Sequence, residues 1–207
     1  MKKPNNTKKL LALTFDDGPA ETTEMIISSL MKNRAVATFF VNGACLRKFP
    51  HLTKMAFDCG FEIGNHTTTH KHLPKLKYQE VVEEISQTSS LIEEIIHINP
   101  KIMRPPYGEY NETVKEAAKY CGLPLINWSN DPKDWNDNKA ETTRKKILEN
   151  LQEDAIILCH DRILETAYLM LDFISELQGL GYQLVTVSHL FELKGIPLQA
   201  GEVYNCP

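Results

Sequence analysis

Short apolar runs alternate with longer stretches of helical periodicity along most of this chain. The runs are rich in β-branched, aromatic and aliphatic residues, as buried strands are, and between them apolar residues recur every three or four positions. The predicted strands are 9–15, 37–41, 61–63, 101–103, 125–128, 155–158 and 183–187. The predicted helices are 21–32, a segment from the second strand to 59, 78–97, 111–121, 139–151, 163–180, and a last helix with Ser188 as N-cap that ends near Gly195.

This alternation predicts an α/β fold with a mainly parallel sheet, because strands joined through helices need right-handed crossovers. About seven strand–helix units suit a closed or nearly closed barrel better than an open sheet, although the pattern alone leaves both open. The chain has 207 residues with 42% hydrophobic content, enough to bury one core of ordinary size. Since neither a linker nor an internal repeat interrupts the pattern, we expect residues 1–207 to form a single domain.

The longest predicted helix, 78–97, has a two-sided pattern. Its apolar residues fall on one stripe, and the pairs Glu83-Glu84 and Glu93-Glu94 lie on the polar side. We therefore expect all four of these glutamates to face solvent.

Charge and hydropathy argue against two classes of partner. A net charge of −4 and a pI near 6.0 give no basic surface for nucleic acid, and the amino-terminal lysines are predicted to form a solvated tail: Lys2, Lys3, Lys8 and Lys9. No apolar stretch approaches the roughly 20 residues that a membrane-spanning helix needs. No signal peptide is evident, so we expect a cytoplasmic protein if Met1 is native, and a cell-envelope or secreted one if a leader was removed. We also expect a monomer.

The cysteines show no spacing that is typical of a thiolate metal site or a redox pair. Their odd number favours free thiols and a reducing compartment. We interpret them as small buried apolar residues: Cys45, Cys59, Cys121, Cys159 and Cys206.

Five polar clusters follow the carboxyl ends of five predicted strands. They are Asp16-Asp17-Gly18 and the segments 66–70, 104–108, 131–135 and 158–160. Since the strands of a parallel barrel bring their carboxyl ends to one mouth, these clusters are predicted to form one site.

Two of the clusters contain candidate metal ligands. His66 and His70 are spaced i and i+4, which on one helical turn places both imidazoles on one side, where they can bind one cation. Asp16 and Asp17 are the natural source of a third ligand, because adjacent buried carboxylates repel each other unless a cation or a base compensates. Neighbouring strand residues point to opposite sides, so one carboxylate can face a metal while the other faces substrate. Such a ligand set suits zinc in hydrolases and also ferrous iron in oxygenases.

The remaining clusters favour hydrolysis. Arg104 can pair with Asp16 and hold it as an ionised base. His160 can give a proton to a leaving group, and Asp134 can orient that imidazole. A base, an acid and a metal-activated water are the parts of an acyl hydrolase.

Taken together, the five clusters resemble the ordered motifs of polysaccharide deacetylases, the NodB-homology domains of carbohydrate esterase family four. The resemblance runs from about residue 9 to residue 195, and the matching segments are Thr14-Phe15-Asp16-Asp17-Gly18, His66-Thr67-Thr68-Thr69-His70, Arg104-Pro105-Pro106-Tyr107-Gly108, Asp131-Pro132-Lys133-Asp134-Trp135 and Leu158-Cys159-His160. It implies a distorted, TIM-like (β/α) barrel that hydrolyses N-acetyl or O-acetyl groups.

The resemblance also implies a role for individual residues. Asp17, His66 and His70 would bind one divalent metal ion, usually zinc, with cobalt or another divalent ion as alternatives. The implied catalytic residues are a general base with its arginine partner, and a general acid with its aspartate partner: Asp16, Arg104, His160 and Asp134.

Three further residues are implied to contact an acetylated glycan. The backbone N–H of Tyr107 would help to hold the oxyanion, while Trp135 and Leu158 would wall the groove and the acetyl pocket. The expected substrate is N-acetylglucosamine in peptidoglycan or chitin-type glycans. Trp128, inside a predicted strand, is assigned to packing.

Four other functions are left open. They are an acetylxylan esterase, a related amide hydrolase acting on a non-sugar substrate, an iron-dependent oxygenase, and a carbohydrate-binding protein without catalysis. The last two fit less well, since Arg104 and His160 are placed for acid–base hydrolysis.

Overall fold

The computed structural model describes residues 9–137 and 139–207, so most of the predicted lysine tail lies outside the described residues. The strands are β1 Lys9–Asp16, β2 Thr38–Val41, β3 Glu62–Asn65, β4 Leu125–Ile126, β5 Ala155–His160, β6 Tyr182–Leu184 and β7 Val203–Tyr204. The helices are α1 Thr23–Lys32, α2 Gly43–Lys48, α3 Pro50–Asp58, α4 Tyr78–Ile96, α5 Glu112–Tyr120, α6 Asp134–Asp137, α7 Ala140–Glu149, α8 Leu164–Gly179 and α9 Val187–Leu193. Two 3₁₀ turns, Leu73–Lys75 and Pro106–Gly108, complete the described elements.

The strands form a distorted parallel barrel, which confirms the predicted fold class. The main sheet has the order β3-β2-β1-β5, and β6 pairs with the first residues of β1. Single bridges continue the circle from β3 through Met103 to β4, and from Asn130 back to β5. The barrel is therefore closed partly by isolated bridges rather than by full ladders, which accounts for its distortion.

Side chains alternate between two cores along β1, as the period of a strand requires. Leu11, Leu13 and Phe15 point outward and pack with helices α1 and α8 in one buried cluster. Ala12 points inward and packs with residues such as Ile126 in the barrel interior. Asp16 continues the inward row, so the last residue of β1 faces the mouth of the barrel.

Three details of the predicted elements are wrong. The predicted strand 101–103 is reduced to bridges at Met103, whereas the pattern did not predict β7, which pairs with β4. The last helix is capped by Thr186, whose hydroxyl accepts from the amide of His189 at 3.3 Å. Ser188 is not the N-cap, because its hydroxyl donates to Glu62 instead.

The solvent prediction for the α4 glutamates holds for three of the four. Glu83, Glu93 and Glu94 are exposed. Glu84 is only 7% exposed, because its carboxylate accepts hydrogen bonds from the amides of Thr68 and Thr69. Among the residues described, no helix combines the length and the apolar composition that a bilayer crossing requires.

Candidate active site

The polar clusters meet at the carboxyl ends of the strands, as predicted. Asp16 ends β1, His160 ends β5, and His66 directly follows β3. A groove of about 600 Å³ opens there, and eight of the residues predicted for the site line it: Asp16, Asp17, His66, His70, Tyr107, Trp135, Leu158 and His160. Arg104 and Asp134 are buried behind this surface, where they contact Asp16 and His160.

Asp17, His66 and His70 form a compact cluster of ligand atoms. The Oδ1 atom of Asp17 lies 3.4 Å from Nε2 of His66 and 3.0 Å from Nε2 of His70. One ligand atom from each residue falls within 4.8 Å of the others, so the three can surround a single ion. Asp16 lies at the edge of the cluster, with its Oδ2 atom 3.8 Å from Nε2 of His66.

The two histidines do not lie on a helical turn, so that part of the prediction is wrong. The segment 66–70 is an irregular loop, and both Thr67 and His70 have positive φ angles, 62° and 56°. The positive φ angles of these two residues turn the backbone so that both imidazoles point to Asp17, which the i, i+4 spacing of a helix does not do here. The ring centroids of His66 and His70 are 5.0 Å apart.

The cluster has the chemistry of a cation site. Nδ1 of His66 is 2.8 Å from the carbonyl oxygen of Arg104, which leaves Nε2 to face the cluster. Burial raises the pKa of Asp17, but hydrogen bonds from His66 and His70 outweigh this and hold it well below its ordinary value. Burial lowers the pKa of His66, but the charge of Asp16 and the hydrogen bond to Asp17 outweigh this and raise it. The carboxylates therefore favour positive charge at this point, and the donor set fits a divalent metal ion.

Asp16 is held by a buried arginine. Nη1 of Arg104 donates to Oδ1 of Asp16 at 2.7 Å and to the hydroxyl of Thr14 at 2.7 Å. Its Nε and Nη2 donate to the carbonyls of Ile126 and Asn127 at 3.0 and 2.8 Å. Because these bonds fix the guanidinium, Asp16 keeps a permanent positive neighbour although it is only 3% exposed.

His160 forms a second buried pair with Asp134. Nδ1 of His160 is 2.7 Å from Oδ1 of Asp134, whose Oδ2 accepts from the His160 amide and the hydroxyl of Thr166. Burial lowers the pKa of His160, but the hydrogen bond to Asp134 and its charge outweigh this and raise the pKa to about 9. His160 is therefore mainly an imidazolium at neutral pH and can donate a proton.

Aromatic and aliphatic side chains form the walls of the groove. Trp135 is 51% exposed and Tyr107 is 52% exposed, so both present ring surface to solvent at the mouth. The Tyr107 ring stacks on His72, with the two ring centroids 4.1 Å apart. Trp128 was assigned to packing within a strand, but β4 ends at Ile126; Trp128 packs on the barrel interior and also lines the groove.

The alternation of β5 separates the site from the core. Leu158 and His160 face the groove, whereas Cys159 between them is fully buried on the opposite side. Burial raises the pKa of the Cys159 thiol well above its ordinary value, so it stays protonated. The interpretation of the cysteines as buried residues is confirmed for Cys159 and is wrong for Cys206, which is exposed; Cys45, Cys59 and Cys121 are partly buried.

Two charged residues at the site escaped the sequence analysis. Nε of Arg162 lies 2.9 Å from Oδ2 of Asp17, so Arg162 holds the carboxylate oxygen that faces away from the histidines. Asp161 is buried, accepts from the hydroxyl of Thr23 at 2.6 Å and packs directly against Gly18, where a Cβ would lie 1.9 Å from its carboxylate. Both directly follow His160 in sequence, where the predicted strand has ended. Because charged residues are common at the start of a loop, the pattern gave no sign that these two lie at the site.

The mouth of this parallel barrel brings together two histidines, a carboxylate and two buried pairs, Arg104 with Asp16 and Asp134 with His160. These are the groups that a metal-assisted acyl hydrolase needs. A family model described as polysaccharide deacetylase matches residues 3–126, which is more than half of the chain. The chain therefore belongs to the polysaccharide deacetylase family, and the predicted resemblance to this family is confirmed.

Relatives extend this similarity beyond residue 126. The chain is 37% identical over 199 residues to the peptidoglycan-N-acetylglucosamine deacetylase PgdA of Listeria monocytogenes, covering 96% of this chain and 41% of PgdA. It is 37% identical over 188 residues to the peptidoglycan-N-acetylmuramic acid deacetylase PdaC of Bacillus subtilis, covering 90% of this chain and 40% of PdaC. The chain thus spans less than half the length of these two curated relatives.

A solved structure shows the same similarity in three dimensions. The structure of a T48 deacetylase with substrate matches with a TM-score of 0.91 and 35% identity. The match covers 96% of this chain and 98% of that chain. The barrel described above is therefore the fold of a carbohydrate deacetylase domain.

Proposed function

We propose that this chain removes acetyl groups from a glycan with the help of one divalent cation, and that N-acetylglucosamine units of peptidoglycan are its main substrate. The pairing of Asp16 and His160 as neighbours across β1 and β5 carries the proposal. In it, Asp16 is the general base and His160 the general acid. The three candidate ligand residues lie at the same mouth, so the base, the acid and the cation reach one acyl group.

We assign the cation to Asp17, His66 and His70, with zinc as the ion. Two imidazoles and one carboxylate are a ligand set that zinc uses in hydrolases, where one coordination position stays open. When bound, the cation supplies Lewis-acid chemistry, which polarises an acyl oxygen and makes water more acidic.

Asp16 takes the proton of the attacking water in this proposal. Its Oδ1 atom is engaged by Arg104, whereas its Oδ2 atom lies nearer to the ligand cluster, 3.8 Å from Nε2 of His66. The buried guanidinium fixes the orientation of this carboxylate, so Oδ2 is already directed toward the water.

His160 gives a proton to the departing nitrogen of the sugar. Its Nδ1 atom is engaged by Asp134, which leaves Nε2 as the donor toward the groove. The amide of Tyr107, in the turn Pro106–Gly108 at the rim, is proposed to donate to the oxyanion as the acyl carbon becomes tetrahedral. Acetate and the free amine are the products.

Two observations support a glycan polymer as the substrate class. The groove is open at the mouth of the barrel and has Trp135 and Tyr107 exposed along it, and such aromatic faces suit the apolar faces of sugar rings. The relatives PgdA and PdaC are both peptidoglycan deacetylases by name, and they differ in the sugar that they act on. Both relatives are 37% identical to this chain, but the match to PgdA covers 96% of it and the match to PdaC covers 90%. We therefore choose N-acetylglucosamine, the sugar in the name of PgdA.

A substrate panel tests the proposal. The protein is stripped of metal, reloaded with zinc or cobalt, and incubated with peptidoglycan, chitooligosaccharides and acetylated xylan while acetate is measured. We expect release from peptidoglycan and chitooligosaccharides, loss with a chelator and recovery with zinc. Release from xylan alone would assign the chain to ester hydrolysis, and acetate release that a chelator leaves unchanged would contradict the metal assignment.

A further inference from the structure

Glu84 is a buried carboxylate that lies outside the groove and contacts the loop between the two histidine ligands. Its Oε2 atom accepts from the amides of Thr68 and Thr69 at 3.0 and 2.8 Å. Its Oε1 atom accepts from the hydroxyl of Thr69 and lies 3.4 Å from Nζ of Lys71. We infer that Glu84 is a positioning residue for the metal site, and that its carboxylate sets the affinity of the site by holding the loop 66–70 in shape.

The loop needs such support because it has neither helical nor strand geometry. Thr67 and His70 both have positive φ, a conformation that costs an ordinary side chain free energy unless neighbouring contacts compensate. Between them, the amides of Thr68 and Thr69 point to one side and converge on a single carboxylate oxygen. The irregular backbone that brings His66 and His70 together is thus satisfied by a side chain of α4.

The carbonyl side of the same loop is held by the start of α2. The carbonyl oxygen of Thr67 accepts from the amide of Gly43 at 3.0 Å, and that of Thr68 accepts from the amide of Ala44 at 3.1 Å. A Cβ on Gly43 would lie 3.0 Å from the Cα of Thr68, so the two segments are in close contact. The loop is therefore clamped between α2 and α4.

A second contact ties the loop to the backbone of α4. The hydroxyl of Thr68 donates to the carbonyl oxygen of Glu84 at 3.0 Å and lies 3.0 Å from the hydroxyl of Thr88. This contact remains when the Glu84 side chain is removed, so the loop stays near the helix. What is lost is the acceptor for two amides, that of the buried Thr68 and that of the exposed Thr69. Since a buried amide without a partner costs free energy, the loop then favours a different backbone path at Thr68.

The consequence for the metal follows from the proposed ligand set, on which this inference rests. Residues that hold ligands in place typically contribute 10- to 100-fold to metal affinity, so we expect Glu84→Ala to weaken zinc binding by about that factor. Glu84→Gln keeps a carbonyl oxygen for both amides and replaces Oε1 by an NH₂ group that can donate to the Thr69 hydroxyl. Since an uncharged acceptor makes weaker bonds, we expect Glu84→Gln to lose less than about tenfold.

The experiment measures the zinc dissociation constant by competition with a chromophoric chelator, using the full chain well below its unfolding temperature. Glu83→Ala removes an exposed carboxylate from the same helix and controls for charge. Glu62→Ala removes a carboxylate that holds Ser188 at the start of α9, and so controls for lost stability away from the loop. We expect wild-type zinc affinity in both controls and a graded loss from wild type through Glu84→Gln to Glu84→Ala.

Three outcomes overturn the inference while leaving the proposed function intact: unchanged zinc affinity in Glu84→Ala, an equal loss of affinity in Glu62→Ala, or a Gln variant as weak as the Ala variant. If Glu84→Ala does not fold, amide exchange in metal-free Glu84→Gln replaces it. The amides of Thr68 and Thr69 should then exchange faster than in wild type, and unchanged protection there would also overturn the inference. Failure of the wild-type protein to bind zinc would instead contradict the proposed function.

Discussion

Asp16 and His160 are register partners on the neighbouring parallel strands β1 and β5. Each is the last residue of its strand, and each has its own buried partner, Arg104 for Asp16 and Asp134 for His160. The barrel thus fixes the proposed base and acid side by side. Their separation is set by the strand pairing rather than by loop conformation.

The buried pair of Arg104 and Asp16 should be coupled in stability. Arg104→Met leaves the Asp16 carboxylate buried without its partner, so the free energy of unfolding should fall by about 3–5 kcal/mol. Adding Asp16→Asn should recover part of this loss, because the uncompensated charge is then removed. Urea unfolding of the metal-free proteins measures both values, and strictly additive effects would show that the two residues do not interact.

The Asp134 carboxylate should control the alkaline limb of the pH profile. Because the pKa of His160 is about 9, the donor form prevails below that pH, and kcat/KM should fall as the pH rises through it. Asp134→Asn removes the charge that raises this pKa, so the limb should move to lower pH by at least about one unit. The exposed Asp172→Asn serves as control. An alkaline limb at the same pH in Asp134→Asn would rule out this assignment.

Metal binding should depend on the three clustered residues and not on the next histidine. Asp17→Ala and His70→Ala each remove a proposed ligand, so zinc affinity should fall by more than about 100-fold, beyond the usual effect of a supporting residue. His72→Ala removes an imidazole that stacks on Tyr107 but lies outside the cluster, and it should bind zinc like wild type. Zinc content after gel filtration distinguishes these results, and full zinc in Asp17→Ala would refute the ligand set.

Trp135 should contribute to binding of oligosaccharides rather than to the chemical step. Loss of a stacked ring is worth about 0.5–1.5 kcal/mol, so Trp135→Ala should raise KM for chitooligosaccharides by up to about tenfold at nearly constant kcat. Tyr120 in α5 is 75% exposed and provides a matched control. An effect on kcat alone would place Trp135 in a different role.

The fold class could be predicted from the sequence because each strand and helix of the barrel has its own periodicity of apolar residues. Apolar strands followed by amphipathic helices occur in order, and the clusters at the strand ends could be placed without knowing any contact. Short elements could not be predicted, because they contain too few residues to show a period. The strand β7 has only two residues, Val203–Tyr204, and two residues are too few to show alternation.

The shape of the loop 66–70 could not be predicted, because it depends on a residue outside that loop. The spacing of His66 and His70 suggested a helical turn, but the amides between them bond to Glu84 on another helix. The paired glutamates of α4 were all predicted to face solvent, because the periodicity of a helix shows which residues are polar but not which other segments pack against them. Arg162 was missed likewise, since only the folded chain brings its guanidinium to Asp17.

We propose that Asp16 accepts the proton of the attacking water and that the cation binds without needing Asp16. The most direct test is acetate release from peptidoglycan by zinc-loaded Asp16→Asn beside zinc-loaded wild type. We predict equal zinc content and a loss of kcat of roughly 10²–10⁴-fold, the usual contribution of general base catalysis. Asp16→Asn that contains zinc and still releases acetate at near the wild-type rate would contradict the account.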